Sequence, residues 1–172
     1  MSPSTVNGLP AHVLFVHFVV VLVPLTALAL VVCAIWPHLA RRLGVLPPVL
    51  ALVTLVSVPL TTQAGEWLEK HVDNSSLIER HAELGDGLLP WALGLFVLSS
   101  ALWWAARRTA PDKGDTSGPA VRLTSAPVRI AAVVLSLVVA TGAVVDVYRI
   151  GDSGAKAAWH DGFSKTAQSQ GN

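Results

Sequence analysis

Charged residues, aromatic residues and cysteine are all scarce in this chain. Only 13% of its 172 residues are charged and 52% are hydrophobic, which argues against a soluble domain because one small core cannot bury so much apolar surface. The single cysteine, Cys33, has no second cysteine to pair with, which argues against a disulfide-stabilised scaffold. The formal net charge of +1 provides no basic surface for a nucleic-acid partner.

The sequence contains four long apolar runs. They cover about residues 11–35, 46–64, 87–106 and 128–147, and each has the ~20 residues that a helix needs to cross a bilayer core, or more. Uninterrupted runs of this length predict helices rather than the alternating strands of a barrel. The sequence therefore predicts an all-α fold, a four-transmembrane-helix up-down bundle that forms a single domain over residues 1–172.

The charges divide unequally between the two sides of this predicted bundle. One side carries seven Lys and Arg and two acidic residues, and the other carries five Lys and Arg and nine acidic residues. By the positive-inside rule the first side is cytoplasmic, so both termini face outward in a multi-pass protein of the lipid bilayer. Residues 107–127 form a cytoplasmic loop in this topology, and residues 168–172 are expected to be a disordered tail.

The connection between the second and third spans is polar but helical in composition. Ser76 and Glu79 form an S-x-x-E capping box, which predicts a helix that starts at Ser76 and continues into the third span without interruption. Helices 2 and 3 then extend beyond the membrane as an outer helical hairpin. In this hairpin His81 is expected at the height of Glu66 and Trp67.

Five of the six histidines fall on the outer side. His12 and His17 lie on helix 1 and His81 lies at the head of helix 3, and these two helices are diagonal neighbours in an up-down bundle. His12 and His17 are five residues apart, so they cannot both face one centre. Imidazole is an axial ligand of b-type haem. The first hypothesis is therefore a haem b held by His81 together with His12 or His17.

Two carboxylates lie on the other diagonal, Glu66 on helix 2 and Asp146 on helix 4. One alternative is a non-haem Zn, Cu or Fe site made of His17, His81, Glu66 and Asp146, and another is that both carboxylates, with Arg149, orient the imidazoles from a second shell. Asp146 can also pair with Arg149 three residues later, and Glu66 can be a solvated carboxylate. A third alternative is a structural or assembly subunit without a cofactor, whose polar cluster only holds the helices together.

Several short motifs resemble a bacterial integral membrane family, domain of unknown function 2231. They are the H-x4-H-F pattern of His12, His17 and Phe18, the pair Ala64-Gly65, the triplet Arg80-His81-Ala82 and the stretch Tyr-Arg-Ile-Gly-Asp-Ser-Gly-Ala at 148–155. Val19 departs from the proline that usually follows H-F in the family. The resemblance implies a four-helix module of the bacterial cytoplasmic (inner) membrane. Related modules fused to Rieske-type iron–sulfur domains imply electron transfer.

No phosphate-binding loop, nucleophile elbow or H-E-x-x-H motif is found in the sequence, which argues against soluble hydrolase or transferase chemistry. We therefore expect a redox or electron-transfer subunit more than a stand-alone enzyme. Its partner would be a membrane or exported redox protein, and a homo-oligomer is compatible with the sequence.

Overall fold

Four long helices make up most of the computed structural model, which describes residues 5–6, 9–69, 76–108 and 125–159. They are α1 (Ala11–Ile35), α3 (Leu46–Glu69), α5 (Leu88–Arg108) and α6 (Ala126–Trp159). Two shorter helices accompany them, α2 (Pro37–Leu43) and α4 (Ser76–Asp86). A minimal antiparallel ladder precedes α1, in which β1 (Thr5–Val6) pairs with β2 (Leu9–Pro10).

The four long helices pack as a bundle whose chain neighbours are also neighbours in space. α1 packs against α3 and α6, and α5 packs against the same two helices, so α1 and α5 lie on one diagonal. This arrangement agrees with the one that the sequence predicts. α4 packs mainly against α6, and this contact forms one half of the site described below.

Two glycines fix the register of α5 against α6. A Cβ atom built on Gly94 would lie 3.0 Å from Val139 Cγ1, and one built on Gly142 would overlap the Trp91 ring. Because residue numbers rise along one helix as they fall along the other, the two helices are antiparallel. Alanine at Gly142 would overlap the indole, so the absence of a side chain there allows Trp91 to fill the α5–α6 interface.

The α1–α3 interface contains a hydrogen bond between two buried hydroxyl groups. Thr26 Oγ1 and Thr54 Oγ1 are 2.8 Å apart, and the Thr54 hydroxyl donates to Leu50 O at 2.9 Å. Since Thr54 has already given its only hydrogen to that carbonyl, Thr26 must be the donor between the two hydroxyls. Such bonds hold membrane helices together where the hydrophobic effect does not.

The outer surface of the bundle is apolar. Val21, Leu28 and Ile130 are each more than 60% exposed, and a water-soluble bundle would not leave so many such residues uncovered. All four long helical segments are long and apolar enough to cross a bilayer. The protein is therefore a membrane protein with four candidate spans, as the sequence predicts.

A one-residue turn interrupts the helix that is predicted to run from Ser76 into the third span. The helix does start at Ser76, but Gly87 lies in a turn that separates α4 from α5, and its N–H donates to Leu84 O at 3.1 Å. Glycine weakens a helix interior, and Pro90, three residues later, lacks the N–H that a continuous helix would use.

Two further elements differ from the sequence prediction, one by its presence and one by its length. α2 was not predicted, although it begins with Pro37 at the first helical position, where proline is favoured. α6 continues to Trp159, well past the predicted end at residue 147. This extension of α6 carries residues 150–154 alongside α4, where they contact His81.

Candidate functional site

His12 and His81 lie together at one end of the bundle. His12 is the second residue of α1, and His81 lies in the middle of α4. Their ring centroids are 6.3 Å apart, and the ring planes are nearly perpendicular at 86°. Both side chains are partly buried. Of the two partners predicted for His81, the structure brings His12 to it.

The imidazole of His12 is anchored to α3. Its Nδ1 lies 3.1 Å from Thr61 O. The ring also covers Gly65, because a Cβ atom built on that glycine would lie 3.1 Å from His12 Cε1. A side chain at residue 65 would therefore crowd the imidazole, and the glycine provides the space for it.

The imidazole of His81 is anchored to α6 in the same way. Its Nδ1 lies 3.1 Å from Ile150 O and 3.0 Å from Ser153 Oγ. Ser153 itself donates to Ile150 O at 2.8 Å. A Cβ atom built on Gly154 would lie 2.9 Å from His81 Cε1, closer than real Cβ contacts come.

The surroundings of His12 and His81 have the same local arrangement. In each, the imidazole bonds to a helical carbonyl, at Thr61 or Ile150, and a glycine follows four residues later, at Gly65 or Gly154. Side chains of a helix lean towards its N-terminus, so a residue covers the turn that precedes it. A glycine four residues after the carbonyl therefore leaves that carbonyl accessible to a side chain from a neighbouring helix.

These hydrogen bonds determine which ring nitrogens carry the protons. A carbonyl oxygen only accepts, so Nδ1 of both His12 and His81 must be the protonated nitrogen. In the neutral rings Nε2 then has a free lone pair. A backbone carbonyl that fixes Nδ1–H in this way is the usual outer partner of a metal-ligating histidine.

The charged surface of α4 separates it from the apolar spans. Glu79, Arg80, Glu83 and Asp86 are all exposed on this helix, and four charges on eleven residues would be costly in hydrocarbon.

Burial lowers the pKa of His81 below its ordinary value, the positive charge of His12 lowers this pKa further, and the hydrogen bond to Ile150 opposes both effects. His81 is therefore neutral at pH 7 and able to ligate.

The other predicted site residues do not join this pair. His17, Glu66 and Arg149 are exposed, and the hydrogen bonds that orient the imidazoles come from Thr61, Ile150 and Ser153 instead. Across residues 9–69, 76–108 and 125–159, no group of three His, Cys, Asp or Glu side chains is arranged to hold a metal ion. The predicted set of His17, His81, Glu66 and Asp146 is thus not assembled there.

Asp146 lies beside the break between α4 and α5. Its Oδ2 is buried and has no hydrogen-bond partner among the described residues, and it would lie 3.6 Å from a Cβ atom built on Gly87. The oxygen therefore lies next to the N-terminus of α5, where a negative charge is favoured by the helix dipole.

The family described as "Predicted membrane protein (DUF2231)" matches residues 8–167. The chain belongs to this family. The matched region of this DUF2231 protein includes His12 and His81, the two glycines that they cover, Gly65 and Gly154, and all four candidate spans. No curated protein and no solved structure matches the chain.

Sequence reasoning on this DUF2231 protein missed the partners of the two imidazoles. The sequence suggests carboxylates as the partners of the imidazoles. In the structure two of the partners are the backbone carbonyls of Thr61 and Ile150, and a residue type does not indicate which backbone carbonyl is bonded. The available signal was glycine, because Gly65 and Gly154 each lie inside a helix, where a glycine is costly unless a neighbour needs the space. Ser153, one residue before Gly154, lies within the stretch 148–155 that resembles the family.

Proposed function

We propose that this protein is a membrane redox or electron-transfer module in which His12 and His81 hold a b-type haem between them. The observation that carries the proposal is the pair itself: two imidazoles from different helices, each hydrogen-bonded through Nδ1 to a backbone carbonyl, so that Nε2 is the nitrogen that can bind a metal. Haem iron takes axial histidines of this kind. The haem would supply a centre for one-electron transfer when bound, and the two imidazoles would hold and orient it.

The separation of the rings is compatible with one metal that both imidazoles would hold. A metal about 2.0 Å from Nε2 lies ~3 Å from the centroid of the ring. Two imidazoles on opposite sides of that metal therefore have centroids ~6 Å apart, and the centroids of His12 and His81 are 6.3 Å apart. The separation therefore leaves room for one metal between the two rings, and haem iron is the metal that we propose for it.

The distribution of charge supports an outward-facing position for the haem. The described Asp and Glu residues all belong to the half of the bundle that contains the histidine pair, and Arg41, Arg42, Arg107, Arg108 and Arg129 belong to the other half. Under the positive-inside rule the histidine end faces out of the cytoplasm of a bacterial inner membrane, with both termini on that side. Helix α3 and helix α4 then form the outer hairpin, and the electron partner is a membrane or exported redox protein.

Absorbance spectroscopy of the purified full-length protein tests the proposal. Protein made with haem available is expected to show a Soret band at about one haem per chain. His12→Ala and His81→Ala should each lose the band, and His17→Ala is the matched control because His17 lies on the same helix but is exposed. Absence of the band in the wild type, or its retention in both pair variants, would contradict the haem assignment.

A structural clamp is the second candidate function, since each histidine also ties two helices together. His12 joins α1 to α3, and His81 joins α4 to α6. In this case the protein is an assembly subunit without a cofactor. The same variants would then lower thermal stability in detergent, and neither the wild type nor any variant would contain haem or another stoichiometric metal.

A further inference from the structure

The end of the bundle opposite to the histidine pair carries positive charge without nearby acids. Five exposed arginines lie there: Arg41 and Arg42 on α2, Arg107 and Arg108 on α5, and Arg129 on α6. The described segments of this half, residues 20–58, 88–108 and 125–145, contain no Asp or Glu. The connection at 109–124 adds two acidic and two basic residues by sequence, so the excess of positive charge remains.

Two of these arginines are held against tryptophans of their own helix. Arg108 Cζ lies 3.8 Å from the centroid of the Trp104 ring, and Arg107 Cζ lies 5.1 Å from that of Trp103. Each pair is separated by four residues and so lies on one face of α5. A guanidinium stacked on an aromatic ring keeps its N–H donors available at its edge. Because the stacked side chain is already ordered, it loses less conformational entropy when it binds an anion.

Arg129 of α6 lies level with Trp104 of α5, one helical turn before Arg108. Gly94 is level with Val139 where α5 and α6 touch. Trp104 comes ten residues after Gly94, and Arg129 comes ten residues before Val139. Since both antiparallel helices rise ~1.5 Å per residue, Trp104 and Arg129 are level with each other.

The short helix α2 brings a second pair of arginines to α5. α2 packs against α5, with Ala40 buried and Arg41 and Arg42 exposed in its last turn. Trp36 immediately precedes α2 and is 47% exposed. Exposed tryptophan beside exposed arginine is typical of the boundary between hydrocarbon and headgroups.

We propose that this end of the protein binds the phosphate of an anionic phospholipid, with Arg107 and Arg108 as its principal ligands and Arg41 and Arg42 across the α2–α5 contact. The charge is not neutralised by ion pairing, because none of these arginines forms a salt bridge with another described residue. A lipid fits better than a free anion, because Trp104 is exposed beside Arg108 among the lipid-facing apolar residues of α5. The inference does not depend on the haem proposal, since the site lies at the other end of the bundle.

Lipid binding can be measured on the delipidated full-length protein in neutral detergent by native mass spectrometry. We expect phosphatidylglycerol to bind more tightly than phosphatidylcholine. An arginine near an anionic headgroup contributes about 1 kcal/mol, which is about fivefold in affinity, so the double variant Arg107→Gln, Arg108→Gln should weaken phosphatidylglycerol binding by about 25-fold. The control Arg80→Gln, Lys156→Gln removes two exposed cations from the opposite end and should leave the affinity unchanged.

Two further measurements separate the proposal from its alternatives. Trp104→Leu keeps every charge and should still weaken binding about two- to fivefold through the lost cation–π contact, while an unchanged circular dichroism spectrum shows that the variant is folded. Equal affinity for phosphatidylglycerol and phosphatidylcholine would overturn the proposal. So would equal affinity in the arginine and control variants, and displacement of the lipid by millimolar inorganic phosphate would assign the site to a free anion instead.

Discussion

Gly154 and His81 lie so close that no other residue type fits at position 154 without moving the imidazole. A Cβ atom there would lie 2.9 Å from His81 Cε1, and the ring is already held by hydrogen bonds to Ile150 and Ser153. The same relationship joins Gly65 to His12, with a slightly longer approach of 3.1 Å. The geometry of the histidine pair therefore depends on two glycines in helix interiors.

Alanine at Gly154 should lower the stability of the protein, although alanine normally strengthens a helix. The matched control is Gly151→Ala, because a Cβ atom there would meet nothing within 4 Å. Thermal unfolding in detergent should show a gain of about 0.5–1 kcal/mol for Gly151→Ala and a loss of about 1–3 kcal/mol for Gly154→Ala, the usual cost of overpacking. Similar gains in both variants would mean that the imidazole is not confined.

Removal of the Ser153 hydroxyl should loosen His81 without releasing it, because Ile150 O still accepts from Nδ1. We expect Ser153→Ala to cost about 0.5–1.5 kcal/mol in the free energy of unfolding and at least about tenfold in haem affinity. Ser153→Thr keeps the hydroxyl and should restore both values. An affinity in the alanine variant equal to that of the wild type would contradict the role given to Ser153.

Stability should fall in mild acid because the pKa of His81 is lowered by burial and by the charge of His12. The unfolded chain then binds a proton near pH 6.5, before the folded protein does, so stability is complete above about pH 6.5 and decreases as the pH falls towards the lowered pKa. His81→Gln cannot titrate and should flatten the dependence of the melting temperature on pH, whereas His38→Gln should not. An identical slope in wild type and His81→Gln would exclude His81 as its source.

The two buried threonines should respond unequally to substitution. Thr26 donates to Thr54, and Thr54 donates to Leu50 O. Thr54→Val removes the acceptor of Thr26 and leaves a buried donor unpaired, so it should destabilise the protein more than Thr26→Val. A coupling energy of about 0.6–2 kcal/mol is expected from the double-mutant cycle, and a coupling near zero would show that the hydroxyl contact does not stabilise the α1–α3 interface.

The spans could be predicted from the sequence, whereas the details of the site could not. Long apolar runs define membrane helices because the bilayer thickness sets their length, and the first predicted span coincides with α1. The extension of α6 to Trp159 depends on tertiary packing of α4 against α6, which a pattern within one helix does not report. This extension supplies Ile150 and Ser153, the hydrogen-bond partners of His81.

The choice of His12 over His17 also depended on the structure. Both fit the same sequence argument, and His17, inside the apolar run, had the stronger claim to a polar partner. The five residues between them turn the two side chains to different faces of α1, and the sequence does not say which face meets α4. In the structure His12 faces His81, and His17 is exposed.

Carbon monoxide binding to the reduced, haem-loaded protein tests most directly whether His12 and His81 are opposite ligands of one haem. If both axial positions are filled by imidazole, the wild type should bind no carbon monoxide, and any haem retained or reconstituted in His81→Ala should bind it and shift the Soret band. His17→Ala should behave like the wild type. Prompt carbon monoxide binding by the wild type, or no haem in wild-type protein made with haem available, would contradict the account.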